Sequence, residues 1–402
     1  MRGAVAFLFA SLAAFGQLLT MEDAVARALA THPDLAAARA SRAVFRFQTQ
    51  AARALPAPEF RMTFNNLSLD PEMGEIRNSV AWRWSPPRPR ELPLKARIAA
   101  ARQRAAEAGI LAAEARVAAA VRHSYRRAAL AAERVQLTEQ ATALRRQMVE
   151  LTRRQVALGL KESVETDLAE LALADMQAGL LRVESVAATE KRRLARLLDP
   201  AADVSFSLEP PPVSTPLPDR AAVLTQALRT RAELGQAAAT CQQGEGELAF
   251  AANGRYPWVS FVQVTRRLGP EAAVRGPWGI QVGVDLPVFR SAAAAESRVA
   301  GANVERCRLE ETALRERIRR DVDDALTQFQ ASVAELVKLE QLAAGPGSKA
   351  LEGARAALSA GRADRLDVLH AEARQLSLRD RWLERRLEFT QIEAQLELAA
   401  GR

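Results

Sequence analysis

The chain carries nearly the same pattern twice. Ala28-Leu29-Ala30-Thr31, followed by Asp34-Leu35, is answered 199 residues later by Ala227-Leu228-Arg229-Thr230, followed by Glu233-Leu234. Leu55-Pro56 with Phe60 is answered by Tyr256-Pro257 with Phe261, and Val80 with Pro87 by Ile280 with Pro287. Gly159, with Glu165 and Glu170 beyond it, is answered by Gly361, with Asp367 and Glu372, by then 202 residues on. Blocks kept in order with so little drift argue for tandem duplication, so one set of elements must fold twice. Each set reads as a helix, a pair of short strands and two very long helices. The repeats are residues 17–208 and 219–402, joined by a Pro-rich linker at 209–218. The fold class expected is mainly α with a small β part.

Residues 1–16 read as a signal peptide. Arg2 precedes an apolar run from Ala4 to Phe15, and Ala14-Phe15-Gly16 places small residues where a signal peptidase reads, ahead of Gln17. The run is too short for a membrane helix, and no later segment offers the roughly 20 apolar residues that one needs. The net charge of +8 comes mainly from Arg, since only five Lys occur. Arg alternates with acids, as in Glu310-Glu311 with Arg315, Arg317, Arg319 and Arg320. Interspersed signs mark a solvated helix face, not a nucleic-acid surface.

The long helices carry coiled-coil seams. Leu137, Leu144, Leu151 and Leu158 recur every seven residues with Ala141, Met148 and Gln155 between them. Val322, Phe329, Leu336 and Ala343, interleaved with Leu326 and Val333, repeat the spacing in the second half. From Leu94 to Leu158 no Pro interrupts the pattern, which predicts a helix of about 95 Å at ~1.5 Å per residue. The strands alternate instead. Phe60, Met62 and Phe64 alternate with Arg61, Thr63 and Asn65; Val80, Trp82 and Trp84 with Ser79, Ala81 and Arg83; Ile280, Val282, Val284 and Leu286 with Gln281, Gly283 and Asp285. Val259 to Val264 is apolar with a less regular alternation. Runs of this length suit tilted membrane strands with one face in lipid, and the same period suits a small soluble sheet. Four strands cannot close a barrel, which takes about eight, so a membrane location requires several copies; three would supply 12 strands.

Cys241 and Cys307 flank the second strand pair, and the sequence leaves open a disulfide or two separate buried thiols. His32, His123 and His370 are too scattered for a metal site. No phosphate-binding loop, metal cluster or nucleophile motif is present, so no enzyme and no cofactor is expected.

These features together resemble the outer-membrane efflux protein family, the TolC-like channels. The resemblance rests on Met21-Glu22-Asp23-Ala24 with Ala28-Leu29 and His32-Pro33-Asp34-Leu35, on Val284-Asp285-Leu286-Pro287-Val288-Phe289, and on the turns at Gly159 and Gly361. It implies a homotrimer in the outer membrane: a 12-stranded β-barrel continued by an α-helical tunnel of coiled-coil hairpins through the periplasm. It further implies a tripartite efflux pump, with a periplasmic adaptor (membrane fusion protein) and an inner-membrane transporter as partners. A type I secretion exit duct is the alternative within that family, and a soluble periplasmic scaffold or adaptor is the alternative outside it. The adaptor-docking turns would be Leu158-Gly159-Leu160 and Ala360-Gly361-Arg362, where each Gly also suits a plain helix C-cap. The family's Asp-Val-Leu-Asp pattern at the entrance reads Asp367-Val368-Leu369-His370 here, which places Asp367 and His370 at a periplasmic aperture together with Asp364. Glu162, Glu165 and Asp167 are the first-half candidates. A solvated helix face is the other reading of this acidic stretch.

Overall fold

The structure is a computed structural model that describes residues 18–65, 77–198, 207–209, 217–268, 272, 276–286 and 290–401. The expected signal peptide, most of the linker and the Pro287-Val288-Phe289 segment lie outside the described residues. The first half runs β1 (Leu18–Leu19), α1 (Met21–Thr31), α2 (Pro33–Ala51), β2 (Glu59–Asn65), β3 (Arg77–Trp84), α3 (Glu91–Ala157) and α4 (Ser163–Leu198). The second half runs β4 (Ser207–Leu208), α5 (Arg220–Thr230), α6 (Ala232–Asn253), β5 (Trp258–Leu268), β6 (Trp278–Asp285) and α7 (Arg290–Leu342). It then passes through a π-helical turn (Ala343–Gly347) into α8 (Ser348–Ser359) and α9 (Arg365–Ala399).

Two features depart from the sequence reading. The opening helix of each half is two helices, broken at His32 and at Arg231, both extended at ψ 123° and 115°. At His32 the cause is Pro33, which disfavours helical backbone in the residue before it. Arg231 has no proline after it; its guanidinium instead reaches the Ala399 carbonyl at 3.0 Å and Asp321 at 3.2 Å. The second departure is the break between α7 and α8, where α3 in the first half runs unbroken for 67 residues.

The residues gather into two compact units, each drawing on both halves: a helical unit (18–36, 113–231, 318–401) and a strand-bearing unit (37–112, 232–317). In the helical unit α3 packs along α9. Leu130 and Leu137 meet Leu383 and Leu387, and Leu144 and Met148 meet Leu366 and Leu369. A second cluster joins Ala24 and Ala28 of α1 to Val121, Tyr125 and Ala128 of α3 and to Leu194 and Leu198 of α4. The Tyr125 hydroxyl donates to the Leu19 carbonyl at 2.6 Å and accepts from the Glu209 N–H at 3.0 Å, fixing the short parallel β1–β4 pair. The repeat extends to single bonds. Thr31 donates to the Leu198 carbonyl at 2.7 Å, and its counterpart Thr230 donates to the Ala400 carbonyl at 3.3 Å.

In the strand-bearing unit β2-β3-β5-β6 form an antiparallel sheet in that order. The weak alternation of Val259–Val264 has a local cause: a β-bulge between Val259 and Phe261 puts Val259 opposite Val284 and Val262 opposite Val282, on one face. Cys241 of α6 and Cys307 of α7 form a disulfide, with Cα atoms 5.6 Å apart. Gly246 lets α6 lie against α3, because a Cβ there would sit 2.8 Å from Ile98 Cγ1.

Candidate functional site

Two surfaces stand out, one in each unit. The first is a face of the sheet. Phe60, Trp82, Val264 and Ile280 are paired in a row across all four strands, and Trp84, Val262 and Val282 form the next row. Phe60, Met62, Trp82, Trp278, Ile280, Val282 and Val284 are exposed. The other face carries Arg61, Thr63, Arg83, Gln263, Thr265 and Gln281, with the Arg83 guanidinium 4.0 Å from the centroid of the Phe261 ring. Phe261 lies over Gly283, where any Cβ would be 2.3 Å from its ring. A soluble sheet hides its apolar face, whereas this one presents a contiguous aromatic and aliphatic surface to the outside. Its outer strands β2 and β6 also keep unpaired edges among the described residues.

The second surface is the pair of helical turns. Gly159 (φ 73°) closes α3 by two bonds, Gly159 N–H to the Val156 carbonyl and Leu160 N–H to the Gln155 carbonyl, both 2.9 Å. Gly361 (φ 66°) closes α8 in the same way, with Gly361 N–H on Leu358 at 3.0 Å and Arg362 N–H on Ala357 at 2.9 Å. Both are Schellman motifs, whose left-handed residue favours glycine. The repeat continues in the ion pairs: Arg153–Glu170 at 2.8 Å clamps the first hairpin and Arg355–Glu372 at 2.9 Å the second. The sequence reading missed these pairs, although the 202-residue offset relates them residue for residue. The two turns differ in chemistry. Leu158 and Leu160 are exposed at the first, while Ala360 and Arg362 stand at the second.

The structure brings Asp364, Asp367 and His370 together at the start of α9. Asp364 is the N-cap, and Asp367 completes a capping box by accepting the Asp364 N–H at 2.9 Å. Asp364 also accepts from Gln155 Nε2 of α3, which ties the two hairpins together near their ends. Gln155, read in sequence as a seam position, is thus a polar link. His370 is exposed, and its proton affinity lies below the ordinary imidazole range. Partial burial and the charge of Arg145 are the main causes, joined by Lys161 and Arg374 and opposed by Asp367. Glu165 pairs with Lys161 at 2.6 Å, and Glu162 and Asp167 are exposed nearby.

Facing Asp367 and His370 is the π-helical turn, which the sequence reading did not anticipate. Pro346 has no N–H to give, and the Ser348 hydroxyl donates to the Ala344 and Gly345 carbonyls. A cavity of about 640 Å³ lies between this turn and α9, lined by Pro346, Ala350, Asp367, His370 and Arg374 among others. Gly345-Pro346-Gly347 was the available signal, a Gly/Pro cluster inside a helical run. Among the described residues there is no group of His, Cys, Asp and Glu able to hold a metal ion, and no helix is long and apolar enough to cross a membrane.

No family model matches the sequence, and no curated protein does. Solved structures do. The chain is similar to the outer-membrane channel OprN at a TM-score of 0.76 and 17% identity, over 95% of this chain and 89% of that one. It is similar to CusC, described for folding and transmembrane channel formation, at 0.76 and 17%, over 96% and 93%. It is similar to the outer membrane protein VceC of Vibrio cholerae at 0.72 and 20%, over 95% and 96%. The chain has the fold that these outer-membrane proteins share.

Proposed function

We propose that this chain is the outer-membrane channel of a tripartite efflux pump, conducting substrates passively from an inner-membrane transporter and a periplasmic adaptor to the outside. The observation that carries the reading is the exposed apolar face of a four-stranded sheet with two open edges, in a chain with the fold of outer-membrane channels. Hydrocarbon tolerates such a face but not unpaired strand edges, so the sheet has to close with other copies. Three copies give 12 strands, and a homotrimer is the assembly proposed. The helical hairpins form its periplasmic portion. The turns at Gly159 and Gly361 receive the adaptor, and Asp367 and His370 stand at the aperture with Asp364, Glu162, Glu165 and Asp167 close by.

The test is purification from outer membranes in mild detergent, mass by light scattering, and single-channel recording in a planar bilayer. A trimer with discrete conductance steps supports the channel. A protein that fractionates without detergent and gives no conductance overturns it in favour of a periplasmic scaffold. Co-purification with a secreted protein would assign the duct to type I secretion.

A further inference from the structure

The polar face of the sheet is ordered by rows. Strand pairing puts Arg83 of β3 in one row with Gln263 and Gln281, Arg61 of β2 in the next row with Thr265, and Arg267 of β5 in the third with Ser79. Each row thus holds one arginine, and the three come from three different strands. Successive rows on one face stand two residues apart, about 7 Å. That is within the Debye length of about 8 Å at physiological salt, so an ion passing along the face meets three overlapping positive fields. The acids do not cancel them. Glu59, in the row of Arg83, is held by Arg61 at 3.2 Å, and Asp285, farther along the same face, by Arg88 at 3.5 Å.

Two glycines of β6 make room for these side chains. A Cβ on Gly279 would sit 2.8 Å from a terminal nitrogen of Arg267, and one on Gly283 would crowd the Phe261 ring on which the Arg83 guanidinium rests. An arginine that merely solvates a strand needs no such seat. Arg267 also donates to the Gly276 and Trp278 carbonyls at 3.1 and 3.3 Å. An aromatic ring and backbone carbonyls fix a guanidinium in place while leaving its charge, which a carboxylate would neutralise.

We infer that this arginine ladder makes the barrel bore select anions, and that the substrates conducted are organic anions: carboxylates, sulfonates or phosphates. The inference rests on the channel reading, which turns the apolar face to lipid and the polar face to the lumen. Rings of arginine favour anion passage through a pore, and conduction needs several weak sites in succession instead of one tight one. Three arginine rows separated by hydroxyl and amide side chains supply that arrangement. A cation entering the same bore is opposed at every row.

The experiment is single-channel recording of the full chain in a potassium chloride gradient, where the reversal potential gives the ratio of chloride to potassium permeability. Benzenesulfonate then replaces chloride as the probe anion. Arg61→Gln and Arg83→Gln, at wild-type oligomer mass, are each expected to lower the ratio severalfold and the benzenesulfonate current with it. Glu59→Gln is expected to raise both. Arg61 and Glu59 are exposed, so their variants report on the field even if Arg83→Gln fails to assemble. A conducting wild type whose ratio is unmoved by Arg61→Gln and Glu59→Gln overturns the ladder and leaves the channel reading standing. A wild-type chain that never conducts overturns both.

Discussion

Arg134 on α3 holds Asp380 on α9 through two N–H···O bonds, Nε at 2.7 Å and a terminal nitrogen at 3.1 Å, with Glu384 3.6 Å away. The pair stands one turn from Leu137 and Leu383, so it sets the register of a seam whose apolar residues alone tolerate sliding. Paired guanidinium bonds of this kind are stronger than neutral ones, and the half-open position of Asp380 reduces their worth. Arg134→Ala is expected to cost about 1–2 kcal/mol of stability. Arg134→Lys should recover less than half, since an ammonium cannot reproduce the fork. Thermal unfolding followed by circular dichroism checks both.

The turns should respond to substitution through the backbone alone. Nothing lies within 4 Å of a Cβ built at Gly159 or Gly361, yet φ is 73° and 66°. Each Gly→Ala change is expected to cost about 1 kcal/mol locally. Hydrogen exchange at the Leu160 and Arg362 amides, which make the closing bonds, should accelerate severalfold in the corresponding variant. Unchanged exchange at both amides would show that the motif is not held by its glycine.

The Cys241–Cys307 bridge closes a loop that contains β5 and β6. With the partners 66 residues apart, the chain-entropy account allows about 4 kcal/mol, concentrated in the strand-bearing unit. Cys241→Ser with Cys307→Ser should lower the melting temperature and speed proteolysis between α6 and α7. Dithiothreitol should produce the same change in the wild type and none in the double variant.

Most of this architecture was legible because duplication writes each structural rule twice. Thr31 and Thr230, and Gly159 and Gly361, are each one constraint read at two addresses, whereas the Arg153–Glu170 and Arg355–Glu372 pairs obey the same offset but emerged only from the structure. What escaped the sequence is where the halves differ. The π-helical turn has no first-half equivalent, since α3 is continuous through the corresponding residues, so the repeat gave no second reading of Pro346. Burial escaped as well. Val164 and Leu366 have the same period and similar side chains, and only the fold shows that one is covered and the other is not. Asp367 was readable as an acid on a helix face, but its capping bond to Asp364 depends on where α9 begins.

His123 should make stability sensitive to acid. It is buried, its Nδ1 lies 3.1 Å from the Thr390 carbonyl, and a carbonyl can only accept, so the neutral ring carries its proton on Nδ1. Burial lowers its proton affinity, with Arg127 and Arg193 adding to the effect and the Thr390 bond and Glu190 opposing it. A group whose folded pKa is depressed stabilises above its unfolded value, about 6.5, and that stability is lost as pH falls through the folded value. The melting temperature should therefore fall more steeply below about pH 6 in the wild type than in His123→Gln. Parallel curves would mean that other groups dominate acid unfolding.

His370 should govern conductance in a similar window, if the aperture is where the channel reading puts it. Arg145 of α3, Lys161 beyond the first turn, and Arg374 on α9 face the ring together with Asp367. Partial desolvation and the three cations outweigh the carboxylate, so the imidazole holds its proton less tightly than an ordinary histidine and gains its charge only on stronger acidification. A ring of such residues changes its field at low pH, not at neutrality. Single-channel conductance and cation preference should stay flat from pH 8 to about 6.5 and shift toward anions below it. His370→Ala should remove the shift, whereas Asp367→Asn, which deletes the opposing carboxylate, should move it to still lower pH. A wild-type profile that His370→Ala leaves unaltered would take His370 out of the conduction path.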